Sequence, residues 1–176
     1  MPIIAPNHER KHHDQQDRAC YRRGYALLYR FDLESAEEHD LSYRKFEPRG
    51  ALAATLKIDG ERSVRVVNTH LGLKYWERVY QIKKILSDLT WRNDGLTILA
   101  GDFNEWLGIT PNSYRLSSAF PPCKKMLTFP SRWPRFALDR IFISGNVQSY
   151  EHFVADFRDA RLASDHLPVV ADLLTT

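Results

Sequence analysis

The apolar positions along this chain change period several times, and each change marks an element. Tyr25-Ala-Leu-Leu-Tyr-Arg-Phe31 reads as a strand. Glu34–Asp40 is so dense in charge that it reads as a loop or short turn. Ala51–Ile58 and Ser63–Asn68 are two strands joined at Asp59-Gly60, a dipeptide that favours a hairpin because both central positions tolerate positive φ. Tyr75, Val79, Ile82, Leu86 and Leu89 recur at helical spacing and predict an amphipathic helix from about Lys74 to Leu89. Its Lys74, Arg78, Lys83 and Lys84 read as a wet face. Leu96–Ala100 is apolar but for Thr97, the kind of short strand a sheet buries on both faces. Pro111, Pro121, Pro122, Pro130 and Pro134 make the stretch 108–136 mostly loop, with one helical turn near Ser113–Ala119. Leu138–Ile143, Gln148–Ala155 and Pro168–Leu174 close the chain as strands.

Residues 1–24 are polar, basic and rich in His, and read as a loosely ordered arm ahead of one domain over 25–176. The 176 residues suffice for one real core and are too few for two comfortable ones. A content of 43% hydrophobic and 27% charged residues is that of a soluble globular protein. No apolar run approaches the roughly 20 residues of a membrane span, nor does a signal-like stretch open the chain, so a cytoplasmic home is expected. Cys20 and Cys123 are far apart and in no metal or redox spacing, which suits a reducing compartment. A net charge of +3 permits polyanionic substrates without arguing for a dedicated nucleic-acid binder.

Several of these apolar runs end in chemistry. Val-Val-Asn-Thr-His-Leu (66–71), Leu-Ala-Gly-Asp-Phe-Asn-Glu (99–105), Leu-Asp-Arg-Ile-Phe (138–142) and Ser-Asp-His-Leu-Pro (164–168) each deliver Asp, Asn or His to a strand end. Asp102 and Asn104 lie two apart, so an extended backbone would set carboxylate and amide side by side, with Gly101 giving room to turn. The competing reading is a strand-end turn in which both bond local backbone. Asp165 and His166 point in opposite directions on a strand, or else form a capped turn. Asp139 interrupts an apolar strand and needs a partner, either His166 or Arg140. Pairing to an imidazole would fix its tautomer and hold a cation beside a phosphate. His70 alone is an ordinary structural histidine, and only its company makes it a candidate.

Two further signals compete. His8-Glu9-Arg10-Lys11-His12 matches the zinc-protease pattern, but no large apolar residue nearby could bury such a helix, so no zinc site is expected. Trp76, Trp91, Trp106 and Trp133 are core or loop anchors or stacking groups for a base. Trp106 and Trp133 are the better stacking candidates, being near the motif loops.

Taken together and in order, the four motifs resemble the endonuclease/exonuclease/phosphatase family, and Glu47-Pro-Arg-Gly-Ala-Leu is similar to its bacterial members. The resemblance implies an α/β fold of two packed mixed β-sheets flanked by helices, with Mg²⁺, or Mn²⁺ in its place, as cofactor. It implies a hydrolase acting on a nucleic acid, a phospholipid or a small phosphoester through an activated water. By motif, Asp102 resembles the residue that positions or deprotonates that water and also binds metal, and Asp165 resembles the metal-ligand carboxylate. Asn104 resembles the phosphate-orienting amide, with Asn68 and Trp106 as further substrate contacts. His166 resembles the imidazole that stabilises the pentacovalent phosphorus, Asp139 the carboxylate that holds it, and His70 a phosphate-contacting histidine. The family's opening strand–helix–strand, with its metal-binding Glu, has no counterpart in residues 1–24, and the resemblance begins near Gly24. That implies weaker metal recruitment, self-association to cover bare strand edges, and, as the rival to catalysis, a remnant kept for binding or assembly.

Overall fold

The computed structural model describes residues 18–22, 25–88, 95–107 and 110–175. The His8–His12 motif, Trp91 and most of the expected arm lie outside the described residues. The end of that arm, Arg18–Arg22, is a strand (β1) paired antiparallel with β2 (Tyr25–Tyr29). A five-stranded sheet forms the centre, in the order β3 (Asp32–Asp40), β4 (Gly50–Lys57), β5 (Ser63–His70), β6 (Leu96–Asp102) and β7 (Asp139–Ser144). It is mixed, since β5 and β6 run parallel and every other pair antiparallel. Helix α1 (Tyr75–Asp88) makes the crossover a parallel pair requires. Helix α2 (Pro111–Ala119) follows β6, and α3 (Arg158–Ala163) sits between β8 (Ser149–Val154) and β9 (Val169–Leu174), which form a second small antiparallel sheet.

Alternation along the strands divides the core in two. Ala53, Val67, Leu99 and Phe142 face Ile82 and Ile85 of α1 and Leu116 of α2. Their neighbours Leu56, Val64, Leu96 and Ile143 face the opposite way, against Tyr29 of β2 and Ala171 and Leu173 of β9. The result is α1 and α2 on one face of the central sheet and two small sheets on the other. Leu99 is wholly buried, worth about 2 kcal/mol in apolar transfer. No helix among the described residues is long and apolar enough to cross a membrane.

Four expectations change. Glu34–Asp40 is no loop but part of β3, an edge strand whose charges suit an exposed edge. The β4–β5 connection is a five-residue loop closed by Ile58 N–H on the Arg62 carbonyl at 2.8 Å, with the Asp59 carboxylate accepting the Arg62 N–H at 3.0 Å. Asp59 therefore shapes this turn through its side chain rather than through positive φ. The single turn near Ser113 is a nine-residue helix, started by a Thr110–Ser113 capping box with Pro111 just inside. Helix α1 buries Arg78 together with Glu77 and Gln81, so Arg78 is not on a wet face.

Candidate active site

Strand register builds the site first. Parallel pairing sets His70 beside Asp102, and antiparallel pairing sets Asp102 beside Asp139, so three chemical residues stand in one row across β5, β6 and β7. All three fall on the face that packs against the small sheets. The row opens into a cleft of about 500 Å³ lined also by Arg49, Asn104, Trp106, Phe129, Asp165 and His166. Gly101 is required where β6 reaches it: its φ is +143°, and a Cβ there would meet the Thr69 carbonyl oxygen at 1.8 Å.

Asp102 and Asn104 share the cleft, but not through an extended backbone. Asn104 has φ +49°, and its N–H turns back to the Asp102 Oδ1 at 2.8 Å. The Asn104 amide nitrogen donates to the Leu71 carbonyl at 2.8 Å, and Leu71 N–H donates to the Asp102 carbonyl at 2.9 Å. These bonds lock the ends of β5 and β6 together. Beneath them Arg78 Nε–H donates to Glu105 at 2.6 Å, while Gln81 accepts the Gly72 N–H at 2.8 Å. Both charges of the Arg78–Glu105 pair are buried, and their hydrogen bonds make that burial tolerable.

Asp139 pairs with His166 and not with Arg140. His166 Nδ1 lies 2.7 Å from Asp139 Oδ2, and Thr128 Oγ1–H donates to the same oxygen at 2.5 Å. A donating Nδ1–H leaves Nε2 as the nitrogen turned away from Asp139. The His166 ring also rests against Phe129, centroids 4.8 Å apart. Arg140 is buried with Nη1 unpartnered. The second imidazole, His70, stands 3.4 Å from Asp102 Oδ2. Burial pushes the His70 pKa down, only partly countered by Asp102. Burial likewise pushes the Asp102 carboxyl up, with repulsion from Asp139 adding to it.

Asp165 lines the cleft with an exposed side chain, and its carbonyl accepts the Ser131 N–H at 2.6 Å. Trp106 borders the cleft as expected. Asn68 does not: its amide donates to the Ala26 carbonyl at 2.9 Å and ties β2 to β5. Sequence reasoning missed three residues. Arg49 is nearly buried, bonded to Glu47 at 2.8 Å, with Nε lacking any partner. Its signal was its place in Glu47-Pro-Arg-Gly-Ala-Leu, just before β4. Thr128 and Phe129 carried no signal, because a loop brings them to β7 and His166.

A carboxylate row with an anchored imidazole and a guanidinium is the chemistry that handles a phosphoryl group. The sequence profile of the Endonuclease/Exonuclease/phosphatase family matches residues 4–166. The chain belongs to the endonuclease/exonuclease/phosphatase family. The match begins earlier than the Gly24 expected from the motifs. This family member is 28% identical over 159 residues to the uncharacterized protein YbhP of Escherichia coli K12, covering 85% of this chain. The chain spans 62% of the length of that curated relative. Among solved structures, a functionally unknown conserved protein from Enterococcus faecalis V583 superposes with TM-score 0.71 at 23% identity, over 92% of this chain and 77% of that one. The mannosyl-6-phosphatase Bt3783 of Bacteroides thetaiotaomicron VPI-5482 superposes with TM-score 0.64 at 21% identity, over 85% and 70%. At such identities the superpositions establish a shared fold for this family member.

Proposed function

We propose that the cleft hydrolyses a phosphoester by in-line attack of water. The observation that carries this reading is the Asp139–His166 pair standing beside Asp102 in one cleft. Asp102 positions the water and takes its proton. A bond forms from the water oxygen to phosphorus as the bond to the leaving oxygen breaks, the leaving oxygen taking a proton from solvent. His166, steadied by Asp139 and Thr128 and carrying a proton on Nε2 as well, donates Nε2–H to the phosphoryl oxygens as charge builds on them, and Arg49, Asn104 and His70 hold the same group in place. Membership of a phosphatase-containing family supports the reaction class.

The same reading includes a divalent ion. Asp102 and Asp165 offer the hard oxygen donors Mg²⁺ prefers, and the desolvated Asp102 carboxylate beside Asp139 is charge that a cation would neutralise. Among the described residues no three His, Cys, Asp or Glu side chains converge as a metal cage. Two carboxylates would therefore hold the ion together with water and the substrate's own phosphate, as Mg²⁺ is often held; Mn²⁺ would serve in its place. When bound, the ion polarises the phosphoryl group. Self-association also belongs to this reading, with Leu28 of β2 64% exposed, and light scattering tests it.

The test is phosphate or alcohol release across a panel of phosphoesters, with Mg²⁺, with Mn²⁺ and with EDTA. We expect turnover that EDTA abolishes and Mg²⁺ restores. A folded chain that turns over nothing under any of these conditions would instead be a binding or assembly module.

A further inference from the structure

Beside the catalytic cleft lies a second concavity of about 520 Å³, lined by Phe129, Pro130, Trp133, Arg135 and Phe136. The two share Phe129, whose ring rests against His166. Trp106, on the cleft's own border, stands edge-on to Phe129 and Phe136 at 5.6 and 5.1 Å between centroids. Trp133 closes the far side and is 75% exposed. The indole shares this lining with Phe136, itself 38% exposed, and so belongs to an aromatic patch rather than standing alone.

The hairpin is rigid. Phe129 and Phe136 pair across it, and Leu167 N–H donates to the Thr128 carbonyl at 2.9 Å. Ser131 Oγ–H donates to the Ser164 carbonyl at 2.7 Å. Arg161 donates to the Ser131 and Arg132 carbonyls at 2.8 Å each, its guanidinium fixed by Asp156. These bonds join the aromatic wall to the segment that carries Asp165 and His166. A ring seated on the wall is therefore held at a set distance from the reacting phosphorus.

The chemistry of the wall selects among substrates. Its lining is three aromatic rings, a proline and Arg135, with no branched aliphatic side chain to seat an acyl chain and no cluster of hydroxyls or amides for a sugar. Arg135 lines it and Arg132 lines an adjoining concavity that shares Trp133 and Arg135, both exposed and without a carboxylate partner among the described residues. Rings flanked by unpaired guanidinium groups suit a flat base followed by another phosphate. We propose that the aromatic hairpin is a subsite for an unstacked nucleobase next to the scissile phosphate, and that the substrate class is single-stranded oligonucleotide. This rests on the hydrolytic reading of the cleft and narrows it. A duplex is disfavoured because its bases are already stacked on one another.

The probe is a fluorescein-labelled single-stranded hexanucleotide, its binding followed by anisotropy in EDTA so that nothing is turned over. Hydrolysis of a small alkyl phosphoester with Mg²⁺ is measured separately. Trp133→Ala should weaken hexamer binding about tenfold or more, and Trp133→Phe should keep most of it. Arg135→Ala should flatten the salt dependence by about one phosphate contact. A duplex of the same sequence should bind more weakly than the single strand. Unchanged binding in Trp133→Ala, equal affinity for the duplex, or Trp133-dependent capture of phospholipid vesicles in place of the hexamer would overturn the proposal. Alkyl ester turnover with no Trp133 effect removes the subsite and leaves the hydrolase; Trp133-dependent binding with no turnover does the reverse. Because Trp133 is so exposed, its replacement leaves folding intact, and a thermal melt confirms it.

Discussion

Two carboxylate–imidazole pairs stand side by side in this cleft, Asp139 with His166 and Asp102 with His70, and they are built in opposite ways. In the first, one carboxylate oxygen accepts from both the imidazole and Thr128, at 2.7 and 2.5 Å. In the second, the nearest approach is 3.4 Å, and the carboxylate's close bond is to the backbone of its own turn. Asp139 is thus committed to orienting a ring. Asp102 is held near its neighbours but not neutralised by them, so burial and the charge of Asp139 raise its proton affinity. A carboxylate in that condition can take a proton from water, and one bonded like Asp139 is a firm anchor for a ring.

The largest effect that would break this contrast is expected from Asp102→Asn. Turnover should fall on the order of 10³-fold, the scale of a lost general base. Stability should move the other way in metal-free buffer. A carboxyl with a raised folded pKa contributes stability below its unfolded value of about 3.9, and loses it as pH rises through the folded value. At pH 7 the ionised group is therefore a burden, and the amide should raise Tm. Full turnover, or a lower Tm, would reverse the roles assigned to the two pairs.

Asp139→Asn should lower kcat by about 10- to 100-fold with KM little changed, because it frees the His166 ring without touching substrate. An equal loss in KM would mean that Asp139 meets the substrate itself. Thr128→Val removes one hydrogen bond from the anchor, worth about 1 kcal/mol, so kcat should drop by about fivefold or less. No change at all would show that His166 alone orients Asp139.

The smallest effect concerns pH. In metal-free protein the Asp102 carboxyl should titrate above the ordinary aspartate value of about 3.9, followed by carboxyl NMR, because burial and the charge of Asp139 disfavour its ionised form. In Asp139→Asn the same titration should shift to lower pH because a repelling charge is gone. His70 should remain neutral through the neutral range, its pKa depressed by burial, and any stability that depends on its neutral form is present above about 6.5 and lost as pH falls through its folded value. A midpoint at or below about 3.9 would show that burial does not govern Asp102.

What could be read from the residues follows from short-range rules. Apolar runs marked β5, β6, β7 and β9 and placed His70, Asp102 and Asp139 at strand ends. The cost of burying a lone carboxylate in Leu-Asp-Arg-Ile-Phe-Ile demanded a partner for Asp139, and His166 is that partner. Helical spacing found α1. What misled were properties that depend on neighbours distant in sequence. Charge density in Glu34–Asp40 says nothing of whether a strand lies alongside to pair with it, and β4 does. Arg78 looked solvated until Glu105, brought from another strand end, met it. Asn68 stood in a catalytic motif, yet the β2 carbonyl of Ala26 takes its amide. Arg49 and Phe129 reach the cleft, and Thr128 reaches Asp139, only because loops fold over them. A strand's period depends on its own few residues, but register and loop docking are settled by contacts between segments dozens of residues apart, and only the assembled sheet decides those.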